Sequence, residues 1–228
     1  RQRTFRASII GTTVFLVGVG AIPFLLPLML QLGFGMTPFE SGLVTFVGAG
    51  GALLTKFFAK KIFASIGFRT ALSWSAGISA IGIAAIGLFD PTTPIALLMV
   101  LLFFTGMVRS TFFTGQNALV LSEIEDKDAG PATAMSSVTR PIGTALGVAV
   151  GGAVLEFSSH SRAEPLGLFD FHVAFFIVGA ISFLAVLPFL RMGKDAGSEV
   201  SGHETPEARQ AGLDRARTEG TEGPSPRF

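Results

Sequence analysis

The sequence predicts an all-α membrane protein with six transmembrane helices forming one bundle, and three observations lead there. Hydrophobic residues make up 49% of the 228 residues and charged residues only 14%, whereas soluble domains average about 25% charged. Almost none of the charges lie inside six apolar windows, residues 9–32, 42–58, 70–89, 94–119, 132–155 and 172–190, here A to F. A helical run of about 20 apolar residues matches the hydrocarbon thickness of a bilayer. Third, the basic residues fall on alternate connections. One side receives Arg1, Arg3 and Arg6, then Lys60, Lys61 and Arg69, then Lys127, then Arg191 and Lys194, while the other receives Arg162 alone. The Lys/Arg-rich side is cytoplasmic by the positive-inside rule, which puts both termini of the segment inside a cell (inner) membrane.

The expected organisation follows. Residues 1–8 are a cytoplasmic pre-helix segment, 9–192 the six-helix bundle, and 193–228 a cytoplasmic tail. The tail is polar and poor in large apolar residues, so it cannot offset its ordering entropy and is expected to be disordered. Window A is too long for a signal-peptide core and carries no A-x-A-like cleavage site, so it reads as a span. With no cysteine, disulfides and thiol metal sites are excluded.

The polar residues within the windows differ from helix to helix. C and F carry no interior charge and few hydroxyls. In D, Thr105, Arg109 and Gln116 recur at spacings of four and seven, with Phe112 on the intermediate turn. In E, Thr133, Ser137, Arg140 and Thr144 recur at four, three and four. These intervals place each set on one helical face. Polar groups in a membrane belong in the bundle interior or against a water-filled cavity. D and E are therefore expected to line an aqueous path, with C and F facing lipid. For any single hydroxyl, a bond to its own backbone or to a neighbouring helix is an equal alternative.

The arginines are harder to place in hydrocarbon. Arg109 and Arg140 lie roughly 12 to 15 Å from the inner ends of their helices at 1.5 Å per residue. Facing lipid there would cost at least ~2.5 kcal/mol. No carboxylate lies within any window; the nearest are Glu123, Glu125, Asp126 and Asp128 in the D–E loop. The candidate pathway residues are Thr105, Arg109, Phe112, Phe113, Gln116 and Asn117 on D, and Ser137, Thr139, Arg140 and Thr144 on E. Phe112 and Phe113 would offer an apolar wall to lipophilic substrates.

Pro141 removes the backbone donor to the Ser137 carbonyl, and Pro23 and Pro27 loosen the far end of A, which makes all three candidate gating kinks. Gly147, Gly151 and Gly152 in "GVAVGGAV", and the glycines of "VGAGGALL" in B, form small-residue patterns that let helices approach closely. His203-Glu204 lacks a second histidine at metalloprotease spacing, and His160 and His172 are twelve apart without a third ligand. No metal, cofactor, enzymatic chemistry or nucleic-acid partner is expected.

The B–C connection, "AKKIFASIGFRTAL", resembles the loop signature of the major facilitator superfamily, a basic stretch ending in Gly-x-Arg. Lys60, Lys61, Gly67 and Arg69 carry the match, with Lys60 where glycine is usual and Ala64 where an acid is usual. The segment "GPATAMSSVTRPIGTALGVAVGGAVLE" resembles the penultimate-helix region of the fourteen-span drug:proton antiporters (EmrB/QacA type). Arg140, Gly143 and Gly147 follow that pattern, and Pro141 stands in its glutamine position. "RTFRAS" and "LLPLMLQLGFGMTPFESGL" are also similar to that family.

The resemblance covers residues 1 to about 190 and implies the carboxy-terminal six-helix half of such a transporter. It implies a missing amino-terminal half, alternating access, a small-molecule substrate and proton-driven efflux of lipophilic or cationic drugs with antibiotic resistance as the outcome. A metabolite uptake permease of the same fold, or a non-transporting six-span scaffold or sensor, are the alternatives.

Overall fold

The structure is a computed structural model that describes residues 2–122, 129–162 and 165–190, with the side chains of 2–8, 60, 119–122 and 129–137 left out. The expected tail, 193–228, the acids of the D–E loop, and the side chains of Lys60, Thr133 and Ser137 lie outside the described residues. Among the described residues every regular element is a helix. They are α1 (Gln2–Leu28), which passes into a π-helical turn at Met29–Gly33, then α2 (Pro38–Ile86), α3 (Ile95–Ser122), α4 (Ala129–Arg162), α5 (Leu168–Phe183) and the short α6 (Val186–Leu190). Five of these elements carry a stretch long and apolar enough to cross a membrane.

The sixth pass is hidden inside α2. At 1.5 Å per residue its 49 residues would reach roughly 74 Å, more than twice the hydrocarbon thickness. Gly67 solves the problem, with φ 72° and ψ 164° in an otherwise helical run, a conformation open in practice only to glycine. The packing against α3 shows that the chain reverses there. Before Gly67, Gly48 abuts Leu102 and Thr55 donates to the Met107 carbonyl at 3.0 Å, so the two numberings rise together. After it, Leu72 lies by Gly115 and Gly82 by Thr105, so they run opposite. The first half of α2 is therefore window B, parallel to α3, and the second is window C, antiparallel to both. Thr37 and Glu40 form a reciprocal capping box at the start of α2, with Pro38 in the first turn.

The remaining passes obey the same alternation. Gly143, Gly147 and Gly151 of α4 meet Leu16, Val17 and Leu25 of α1 in rising order, so A and E are parallel. Gly11 and Gly18 of α1 and Gly33 of the π-helical turn meet Phe189, Ser182 and Leu168 in falling order, so F runs back along A. F also packs antiparallel on C, through Gly179 against Ala80 and Ala84. Six passes alternate in direction, as the even number of spans requires. Helix α1 starts at Gln2, so residues 2–8 extend helically beyond its apolar window.

Two seams are backbone on backbone. A Cβ on Gly51 would stand 2.0 Å from the Phe103 carbonyl oxygen, and one on Gly106 would stand 2.1 Å from that of Gly48. On the other seam, a Cβ on Gly147 would stand 2.3 Å from the Val17 carbonyl oxygen. The glycines of "VGAGGALL" and "GVAVGGAV" thus do what their spacing predicts, against α3 and α1 respectively. Between the seams lies an aromatic cluster in which Phe112 stacks on Phe15 at 3.7 Å and meets Phe189 edge-on at 5.4 Å.

The surfaces of C and F also follow expectation on one side. C exposes Trp74, Ile78 and Ile81, and F exposes Phe176, Phe183, Leu184 and Leu187. Their serines (Ser73, Ser75, Ser79, Ser182) are buried against the rest of the bundle.

Overpacking a seam of this kind costs about 1–3 kcal/mol, whereas alanine in place of an unconstrained helical glycine gains about 0.5–1 kcal/mol. Gly106→Ala is expected to lower the unfolding temperature in detergent. Gly42→Ala, whose added Cβ would have nothing within 4 Å, is expected to raise it.

Candidate functional site

Thr105 and Arg109, one turn apart on α3, point at the second half of α2. Gly82 makes room for Thr105, since a Cβ there would lie 2.2 Å from Thr105 Cγ2. Because C runs antiparallel to α3, the residue one turn from Gly82 in the matching direction is Ser79. Arg109 and Ser79 accordingly share the wall of one cavity of about 40 Å³. Thr45 and Thr105 complete its polar part, and Ile22 and Leu26 of α1 close it. A water needs about 10–15 Å³ of such space, so the cavity admits more than one. The walls of this cavity come from A, B, C and D rather than from D and E.

The hydroxyls divide into two kinds. Thr105 donates to the carbonyls of Leu101 and Leu102 at 2.9 and 3.1 Å, and Thr45 donates to that of Ser41 at 2.7 Å. Ser110 donates to the Ala52 carbonyl at 2.9 Å, which ties α3 to α2. These protons serve the backbone, the equal alternative that the sequence offers for any single hydroxyl. Ser79 is different: it is 2% exposed and makes no hydrogen bond among the described residues.

Arg140 lies elsewhere. It is exposed on α4, and its guanidinium carbon sits 4.5 Å from the centre of the Phe113 ring, within cation–π range. Phe113 in turn meets Phe15 edge-on at 5.8 Å. α1 therefore stands between the polar faces of α3 and α4, and this arginine–phenylalanine contact bridges them. Phe112 is fully buried in the aromatic cluster, so it packs the core. Gln116 is buried, Asn117 exposed, and Thr139 and Thr144 half-buried. Pro141 and Pro23 are exposed and Pro27 half-buried, each within a helix that continues past it. Among the described residues neither Arg109 nor Arg140 has an acidic partner.

Two clusters escaped the sequence reading. Asp170, in the first turn of α5, is fully buried and accepts from Arg162 Nη2 at 2.6 Å, Ser158 Oγ at 2.5 Å and the Gly167 amide at 2.8 Å. It falls two residues outside window F, although an acid in a first helical turn is an N-terminal signal. His172 lies beside it and sits with Nε2 3.2 Å from the Phe89 carbonyl, which pins F to the C–D loop. A wider groove of about 510 Å³ runs between α4 and α5 along Val150, Val154, Phe157 and Phe169, and it touches none of the expected pathway residues. In the loop signature, Gly67 is the reversal point, Lys61 is exposed, and Arg69 Nη2 donates to the Leu190 carbonyl at 2.7 Å.

Over residues 8–219 the sequence matches the Major Facilitator Superfamily. The chain belongs to that superfamily. It is an integral membrane protein built on that plan. Among its relatives is a protein of Enterobacter sp. (strain 638) bearing the name multidrug resistance protein MdtD. It is 28% identical over 207 residues, 88% of this chain and 43% of the relative. A protein of the same name from Pectobacterium carotovorum subsp. carotovorum (strain PC1) is 32% identical over 173 residues, 75% of this chain and 37% of the relative. The chain thus spans about two fifths of the length of these superfamily relatives.

The chain contains no cysteine, so single thiols report cleanly. Cysteines at 117 and 140 are expected to react with a membrane-impermeant maleimide in intact membranes. One at 184, exposed on the apolar surface just after α5, is expected to stay unlabelled, because lipid suppresses the thiolate.

Proposed function

We propose that this chain is the carboxy-terminal half-bundle of a drug:proton antiporter of the EmrB/QacA type in the inner membrane, with both ends of the segment cytoplasmic. The transporter exports lipophilic or cationic drugs by alternating access. The observation that carries this reading is Arg140, an unneutralised cation exposed within a span and seated on Phe113. A guanidinium at that depth needs water or a polar partner, and a substrate path through the bundle supplies both. The relatives named for multidrug resistance support the substrate class.

A second bundle has a face to dock on. In α4, Val138, Ile142, Ala145 and Ala149 form an exposed stripe at spacings of four, three and four, and its last two members are small. The first half of α2 exposes Phe39, Leu43, Phe46, Leu53 and Phe57 in a similar repeat. Helices associate in lipid through close packing of such faces, and the greater length of the relatives leaves chain enough for a partner half. Rocking of the two halves would then open the inner side of α4, where Arg140 meets Phe113, to each side of the membrane in turn. The kinks at Pro23, Pro27 and Pro141 would absorb the bending.

Dye flux into inverted vesicles carrying the protein tests the reading. A pH gradient, acid inside, should drive accumulation, and dissipating it should abolish accumulation. Arg140→Ala should lower the flux about tenfold or more with normal membrane insertion, the scale set by losing one charged contact. Flux in the opposite direction would assign an uptake permease.

A further inference from the structure

The cavity beside Arg109 has a donor set without an acceptor. Its polar wall consists of Arg109, Ser79, Thr45 and Thr105. Thr45 and Thr105 have committed their protons to backbone carbonyls. Arg109 and Ser79 have not, since neither makes a hydrogen bond or ion pair among the described residues. Among the described residues no acidic side chain lines the space. One full positive charge and one free hydroxyl therefore converge on a pocket that is otherwise closed by Ile22, Leu26 and Leu102.

Water alone fits this space but leaves the charge uncompensated. An isolated charge inside hydrocarbon-flanked protein carries a cost that hydrogen bonding to one or two waters relieves only in part, whereas an anion removes its source. Size then limits what the anion is. About 40 Å³ is far below the roughly 300–1,000 Å³ of pockets that enclose drug-sized ligands. The space suits a bare monovalent ion with a water beside it. It does not suit an organic acid with a carbon chain.

We propose that this cavity is a binding site for a small monovalent inorganic anion of the chloride type, held by the Arg109 guanidinium and the Ser79 hydroxyl. The site neutralises α3 where it crosses A, B and C, and it is separate from the exposed face that carries Arg140. It does not depend on the drug-export reading, because it would stabilise the folded bundle whatever the bundle transports.

The test is thermal unfolding of the purified protein in detergent, titrated with sodium chloride or bromide against sodium gluconate at matched ionic strength. Chloride and bromide should raise the unfolding temperature saturably, and gluconate should not. Ser79→Ala should weaken the apparent affinity several-fold. Arg109→Gln should weaken it by about tenfold or more, as expected for loss of a charged partner. Direct binding of radioactive chloride to the unmodified protein covers the case in which a variant fails to fold. Equal unfolding curves in chloride and gluconate would overturn the site, as would a chloride effect that survives Arg109→Gln. Absence of bound radioactive chloride would do the same, and would assign the charge balance to a fixed carboxylate elsewhere in the protein.

Discussion

Helices in a membrane have little hydrophobic reason to prefer one another over lipid, so the bundle depends on how closely their backbones can approach. Gly51 and Gly106 set that approach between the first half of α2 and α3, and Gly147 sets it between α4 and α1. The same glycines that bring the backbones together also leave a layer without side chains. Gly48 and Gly106 are in contact one turn from Arg109, and Gly82 faces Thr105 in the same layer. The cavity is the consequence. Larger residues at those positions would fill it and force the helices apart, so tight packing and the polar void have a single cause.

Three arginines illustrate three ways to keep a guanidinium in an apolar protein. Arg162 has a buried carboxylate, Asp170, which is itself fixed by Ser158 and by the Gly167 amide. Breaking such a pair by removing one member leaves the other uncompensated, so this cluster belongs to the stability of the α4–α5 junction. Arg140 rests on an aromatic face and stays exposed. Arg109 is half-buried beside hydroxyls and has no acidic partner among the described residues. The first arrangement is closed and neutral, while the other two retain a charge that something else must meet. That difference separates Arg162 from the functional candidates better than depth along the helix does.

Much of this was legible in the residues. Hydropathy located all six passes, including the two that α2 joins without a loop, because Gly67 stands between two apolar windows next to basic side chains. The glycine faces of B and E could be read from spacing alone, since close approach needs only the absence of a side chain. The partnership of D and E could not. A stripe on one face carries no information about which neighbour it turns to, and α1 with Phe15 stands between Phe112 and Phe113 of α3 and Arg140 of α4. Ser79 and Thr45 were invisible for a related reason. Their importance arises only when another helix brings a charge to them. Asp170 escaped because the window ended two residues beyond it, while the helix reaches back to include its side chain as a first-turn acid.

The unequal burial of the passes bears on what completes the molecule. α1 has 61% of its most apolar stretch buried, whereas α4 has 22% and the first pass of α2 has 28%. α1 is therefore already central within this chain, and α4 and the first half of α2 are not. Exposure alone would be met by lipid, and the exposed side chains of C and F are mostly large and branched or aromatic. The exposed stripe of α4 instead contains the small residues Ala145 and Ala149. Acyl chains pack poorly on a surface of small residues, whereas a second helix packs on it closely. Arg140 lies on the opposite side of α4, over Phe113, so the stripe and the arginine make separate demands: the stripe suits the proposed partner half, and the guanidinium needs water or a polar group on the inner side of the helix.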